Sequence, residues 1–232
     1  MKKLIIILAV VLIATTFLSA DVYIKQVTKT NMQGQEKVVT QEQWMGTDKI
    51  ATISDNNTII LDLGKKKFYM LQNASKTYVE SSLPLDMTSL MPEQMASMMK
   101  GFMSGMSVSV QPNGQTKQIG NWKAKGYDFT ITAMGMPIKM IMWASSDVPF
   151  DWKKYQPLNA EVFKATMRMG EQFIQELQKL EGYPIATDME MMGVKVEMKV
   201  EEISEKTPPA NVYSVPADYT KKAKLGMEDM QQ

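Results

Sequence analysis

The 232-residue sequence contains no cysteine and no histidine, and Arg168 is its single arginine. Without cysteine there is no disulfide framework and no thiolate metal site. Without histidine there is no Ser-His or Cys-His triad and no imidazole-bound zinc. One arginine argues against a bidentate phosphate clamp. An excess of one charge is missing too: 26 Lys+Arg stand against 25 Asp+Glu, a formal net charge of +1. A nucleic-acid partner leaves a basic footprint, so none is expected. After the first twenty residues no apolar run approaches the roughly 20 residues that a spanning helix needs.

Those first twenty residues read as an address. Met1-Lys2-Lys3 is cationic, Leu4 to Leu12 is an unbroken apolar run extended to Phe17, and Leu18-Ser19-Ala20 places small residues before Asp21. This order is that of a secretory signal peptide cut after Ala20. The expected location is periplasmic or secreted, with no stable membrane insertion after cleavage. No cysteine follows the cut to carry a lipid. The expected organisation is a leader over 1–20, one domain over 21–219 and a polar, frayed tail over 220–232.

From Val22 to Glu80 short β-rich runs recur: Val22 to Val27, Lys37 to Trp44, Lys49 to Ile53, Thr58 to Leu63, Lys67 to Leu71 and Thr77 to Glu80. Turn residues separate them, and such close spacing permits only antiparallel pairing. Pro92 and Glu93 then open a helix whose apolar positions are Met95, Met98, Met99, Phe102 and Met106, one face at helical spacing. Strands resume at Ser107, with Gln111-Pro112-Asn113-Gly114 read as a turn. Ile138 to Trp143 is apolar on both faces, as in a strand covered on both sides or facing a cavity. A second helix is expected from about Asn159, its cap, to Leu180, with a stripe through Val162, Thr166, Met169, Phe173, Leu177 and Leu180, widened by Phe163 and Ile174. In the last long strand Val194, Val196, Met198 and Val200 alternate with charged residues. The predicted fold class is α+β: a strongly curved antiparallel sheet, an incomplete barrel, with two main helices packed on its concave face.

No legible catalytic constellation emerges. Carboxylates fall in turns or on outward strand positions, and Gly101-Phe102-Met103-Ser104-Gly105 lacks the lysine and the preceding strand of a phosphate loop. The chain is read as a non-enzyme with no cofactor. Methionine is the anomaly, 23 of 232 residues, clustered at Met87 to Met106, Met134 to Met142 and Met189 to Met198. Thioethers pack an ordinary core, line an adaptable apolar groove, or ligate Cu(I). Met91, Met95, Met98 and Met99 have the spacing for the copper alternative. The groove reading selects Met95, Met98, Met99, Phe102, Met140, Met142 and Trp143 as ligand contacts. The partner is then a hydrophobic small molecule or lipid, and the remaining alternative is a module that docks on an envelope protein.

Several short stretches carry a resemblance. Val22-Tyr23-Ile24 after the leader, the run from Gly120 to Phe129, Trp143-Ala144-Ser145-Ser146-Asp147, and Val212-Tyr213-Ser214-Val215-Pro216-Ala217-Asp218-Tyr219 resemble a family of exported bacterial proteins of unknown function. That family is similar in layout to the LolA/LolB/LppX lipoprotein-carrier superfamily. The resemblance implies an incomplete antiparallel barrel with helices as a lid over an apolar cavity. It implies no catalytic residue and no particular cargo.

Overall fold

The computed structural model describes residues 20–103, 105–167, 171–191 and 193–226; of the expected leader over 1–20 only Ala20 is among them. Six strands come first: β1 (Asp21–Met32), β2 (Gln35–Met45), β3 (Lys49–Ser54), β4 (Asn57–Asp62), β5 (Lys67–Gln72) and β6 (Thr77–Ser82). Two helices follow, α1 (Met87–Leu90) and α2 (Glu93–Met103). Then come β7 (Ser107–Ile119), β8 (Trp122–Ala133), β9 (Met136–Ser145), α3 (Trp152–Met167), α4 (Glu171–Leu177), β10 (Tyr183–Met191), β11 (Val194–Lys206) and β12 (Thr220–Lys221).

All twelve strands join one curved, open sheet in the order β12-β6-β5-β4-β3-β2-β1-β11-β10-β9-β8-β7. The pairing is antiparallel except at β12, which runs parallel to β6. The described residues hold four helices where the sequence predicts two. Pro92 separates α1 from α2: the residue before a proline is pushed toward extended backbone, and Met91 has φ −102° and ψ 159°.

Register explains the two cores of the β1–β6 half. Val22, Met45, Ile50, Leu61 and Phe68 are successive cross-strand partners, and all are buried. One residue along, Tyr23, Trp44, Ala51, Ile60 and Tyr69 form the matching row on the opposite face. Period-two alternation makes such rows face opposite ways. The first row joins the main core with Leu85, Leu90 and Leu158. The second is covered by Val212, Tyr213, Val215 and Tyr219. The Tyr213 hydroxyl donates to Asp21 Oδ2 at 2.5 Å, and the Tyr219 hydroxyl reaches Asn73 Oδ1 at 3.3 Å. The closing signature is thus a strap over the second core.

Both sheet edges are protected. At one, β12 is two residues long. At the other, the β7 backbone N–H of Val110 donates to Glu176 Oε2 at 2.8 Å, so a carboxylate from α4 occupies the ladder position. Lys179 and that N–H hold the Glu176 carboxyl below its ordinary range.

Three expectations are corrected. Gln111-Pro112-Asn113-Gly114 does not reverse the chain; it is an irregularity inside β7, between Pro112 and Thr116. Asn113 Oδ1 accepts from the Gln115 N–H at 3.0 Å, and proline is tolerated because β7 is an edge strand. The helix expected from Asn159 starts at Trp152 instead, with Pro157 inside it; the side chains of Phe163 and Thr166, and residue Met169, lie outside the described part. The tail does not fray at Thr220. Thr220 N–H donates to Lys76 O at 2.9 Å, Leu225 N–H to Leu90 O at 2.8 Å, and Leu225 is buried in the main core. Leu225→Ala therefore lowers stability by about 2–3 kcal/mol in a denaturant titration; a frayed tail would leave it unchanged.

Edge charges link β5, β6 and β12. Glu80 accepts from Lys221 Nζ at 2.8 Å and from Lys67 Nζ at 2.5 Å. Lys221, then Lys67, holds the Glu80 carboxyl below its ordinary 4.5. A depressed folded-state value adds stability above the unfolded value and loses it as pH falls through the folded one. Glu80→Gln is expected to cost about 1 kcal/mol or less at pH 7, with the gap to the wild type closing below pH 4.5. A gap that persists into stronger acid would remove the charge from the explanation.

Candidate functional site

The chain links the adjacent strands β9 and β10 through α3 and α4, and these helices leave a cavity of about 490 Å³ against the sheet. Three segments build it. From α3 come Trp152, Pro157 and Ala160; from α4 and its end come Ile174, Leu177 and Leu180; from the sheet come Met142, Gly182, Tyr183 and Pro184. Lys153, Gln156, Asn159, Glu161, Glu171 and Gln178 complete the lining with polar groups. The volume lies within the range of small-molecule sites, roughly 300–1,000 Å³.

Local chemistry fixes each wall. Leu177 and Leu180 pack on Val110, Tyr127, Phe129 and Ala144, so α4 is seated on β7, β8 and β9. The helix ends in tight turns, with Lys179 N–H bonded to Glu176 O and Leu180 N–H to Leu177 O. The Tyr127 hydroxyl then accepts the Glu181 N–H at 3.1 Å. Gly182 follows with φ +126°, and a Cβ there would lie 2.4 Å from the Ser145 carbonyl carbon. Only glycine lets the loop cross the end of β9 so closely. Tyr183 stacks edge-on against Phe150, centroids 5.3 Å apart. Burial pushes its phenol above the ordinary 10, so this wall stays uncharged at any physiological pH.

A second depression of about 510 Å³ opens along β8, β9, β10 and β11. Five of its ten lining residues are charged: Asp128, Lys139, Asp188, Glu190 and Lys195. It is a poor host for an apolar molecule, because those charges would lose water without gaining partners.

The residues selected from sequence do not converge on one wall. Met142 lines the cavity. Met140 borders the charged depression while packing with Phe129 and Tyr127. Trp143 pairs with Gly126 on the other face of β9. It is 5% exposed, donates Nε1–H to Asp188 Oδ2 at 2.8 Å and lies under Lys117 Nζ, 5.0 Å from the ring centroid. Met95 is half-buried on α2, and Met98 is 71% exposed. The side chains of Met99 and Phe102 lie outside the described part. Among the described residues the cavity therefore holds one methionine, and α3 and α4 rather than α2 form its cover. For the copper alternative, Met91 precedes Pro92 and is not on α2, so helical spacing does not align its sulfur with Met95. Among the described residues no group of three or more carboxylates could hold a metal ion, and no helix is long and apolar enough to cross a membrane.

Sequence reasoning missed Trp152 and Tyr183 as lining residues. Ile174, Leu177 and Leu180 were legible as a helical stripe, but a stripe facing a cavity and one facing a filled core have the same period.

Several solved structures are similar to this chain at low identity and low TM-score. A structure of PNGF-II shares 10% identity and a TM-score of 0.44 over 91% of this chain, which spans only 32% of that one. A LolA superfamily protein from Nitrosomonas europaea gives 9% identity and a TM-score of 0.34, covering 85% of this chain and 91% of the other. LprF from Mycobacterium bovis gives 8% identity and a TM-score of 0.31, covering 87% and 91%. No curated protein matches the sequence. One family model does match, over residues 22–219. It runs from the second residue of β1 to the last aromatic of the strap, and so takes in every wall of the cavity. The chain belongs to the family described as Domain of unknown function (DUF4412).

Proposed function

We propose that this is an exported, non-catalytic binding protein that sequesters an acyl chain or another apolar ligand in the cavity between α3, α4 and the sheet. The observation that carries this reading is the lining itself. Trp152, Pro157, Ala160, Ile174, Leu177, Leu180, Met142 and Pro184 surround a volume of about 490 Å³, with polar side chains beside them. An acyl chain suits such a site: methylenes fill the apolar part while a headgroup meets Lys153, Gln156 or Asn159. Burying about eight methylenes contributes about 6 kcal/mol, before the freedom lost on association is subtracted. No hydrogen-bonding motif is needed for that affinity. The leader over 1–20 supports export, with cleavage after Ala20 and a periplasmic or secreted location. Native mass spectrometry of the purified protein tests the proposal. The expected spectrum contains a lipid-sized adduct that leaves on collisional activation; protein that carries no adduct and takes up no added long-chain fatty acid would overturn it.

A further inference from the structure

Six large apolar side chains are exposed among the described residues, and four of them sit at the tips of hairpins: Met32 (54%), Met134 (64%), Met136 (56%) and Met191 (39%). The register places these tips at one end of the sheet. Met32 pairs with Gln35 in the β1–β2 hairpin and with Val194 across to β11. Met191 pairs with Val194 in the β10–β11 hairpin, and Ala133 with Met136 in the β8–β9 hairpin. The three hairpins are consecutive in the sheet, so their tips form a row at intervals of two strands, about 10 Å.

The remaining hairpins that point the same way are different. Ser54, at the end of β3, pairs with Gln41, six residues short of Gln35, so the long hairpins project about 20 Å beyond the β3–β4 tip. That shorter tip carries Asp55 and Asn56, and the β5–β6 tip carries Asn73, Ala74, Ser75 and Lys76. The long tips carry no charge at all over Asn31 to Gln35, Phe129 to Ile138 and Met191 to Val194. Charges resume just behind them at Lys29, Glu36, Lys139, Glu190 and Lys195. Met134 also breaks a local rule. Its φ is +51° beside Gly135 at +76°, a turn position that asparagine or glycine fills with less strain. Of the four tip methionines, Met134 alone breaks both solubility and turn preference, as residues at functional or strained sites do.

We propose that this row of methionine tips inserts into the interfacial layer of a phospholipid membrane, with the flanking charges at headgroup level. Separate, convex, uncharged points suit a fluid acyl layer, which closes around each one. A folded partner or a second copy instead buries a contiguous patch. Unbranched thioethers adapt to such a layer. The inference is independent of what the cavity holds.

The absence of cysteine makes the test clean. Met32→Cys, Met136→Cys and Met191→Cys, each labelled with an environment-sensitive fluorophore, are mixed with phosphatidylethanolamine–phosphatidylglycerol vesicles and compared with Asn56→Cys. Labels at the three methionine tips are expected to shift to the blue and to be quenched by brominated acyl chains, while the label at Asn56 stays in water. In flotation with the exported form of the chain, combining Met32→Ser, Met134→Asn, Met136→Ser and Met191→Ser lowers vesicle partitioning at least about tenfold with no loss of thermal stability. Tip labels that remain in water, vesicle binding that the combined variant retains, or a dimer that this variant dissolves would each overturn the inference.

Discussion

Gly182→Ala is expected to destabilise the protein by about 3 kcal/mol or more. Two penalties combine. Alanine at φ +126° occupies backbone space that L side chains rarely adopt, and its Cβ would lie 2.4 Å from the Ser145 carbonyl carbon and 2.5 Å from the carbonyl oxygen. Backbone atoms of a strand cannot swing aside as a side-chain tip can. The loop must therefore lift, which detaches the Glu181 N–H from the Tyr127 hydroxyl and moves Tyr183 and Pro184 in the cavity wall. Urea titration gives the stability loss, and binding of a long-chain fatty acid should weaken alongside it. By contrast Gly135→Ala meets nothing within 4 Å and carries only the strain of φ +76°. Equal losses at the two positions would mean that the close approach to β9 contributes nothing.

Trp143→Ala is expected to cost about 3–5 kcal/mol. The ring is 5% exposed, and removing it strips Asp188 of its indole donor and Lys117 of its ring contact. Trp143→Phe keeps most of the apolar volume and is expected to lose about 1–2 kcal/mol, chiefly through that hydrogen bond. Neither change touches the cavity, so Trp143→Phe should bind fatty acid as the wild type does. A Trp143→Phe protein of near-native stability that has lost ligand binding would return Trp143 to the site.

The two outcomes mark what the sequence discloses. Alternation and turn residues placed five of the first six strands within two residues of their ends, because those strands are half-buried and periodic; β1 runs on to Met32, five residues past the expected Val27. The strand through Val194, Val196, Met198 and Val200 was legible for the same reason. The site was less so. Met140, Met142 and Trp143 are consecutive enough to suggest one surface, yet a strand sends Met142 and Trp143 to opposite faces, and only one reaches the cavity. The methionine surplus was visible from composition, but its placement was not: hairpin ends at 32, 134, 136 and 191 become neighbours only once β1 has paired with β11. Pro157 inside α3 and Pro112 inside β7 show the limit of breaker rules; at Pro112 the strand is an edge that needs no donor on its free side.

The central claim is that an apolar chain occupies the space between α3, α4 and the sheet. It is tested most directly by titrating a fluorescent long-chain fatty acid into the wild-type protein and into Ala160→Trp, which fills the cavity from α3. Saturable one-to-one binding in the wild type, reduced at least about tenfold in a variant that still folds, is the predicted result. Identical isotherms for the two proteins would place the ligand elsewhere and contradict the account.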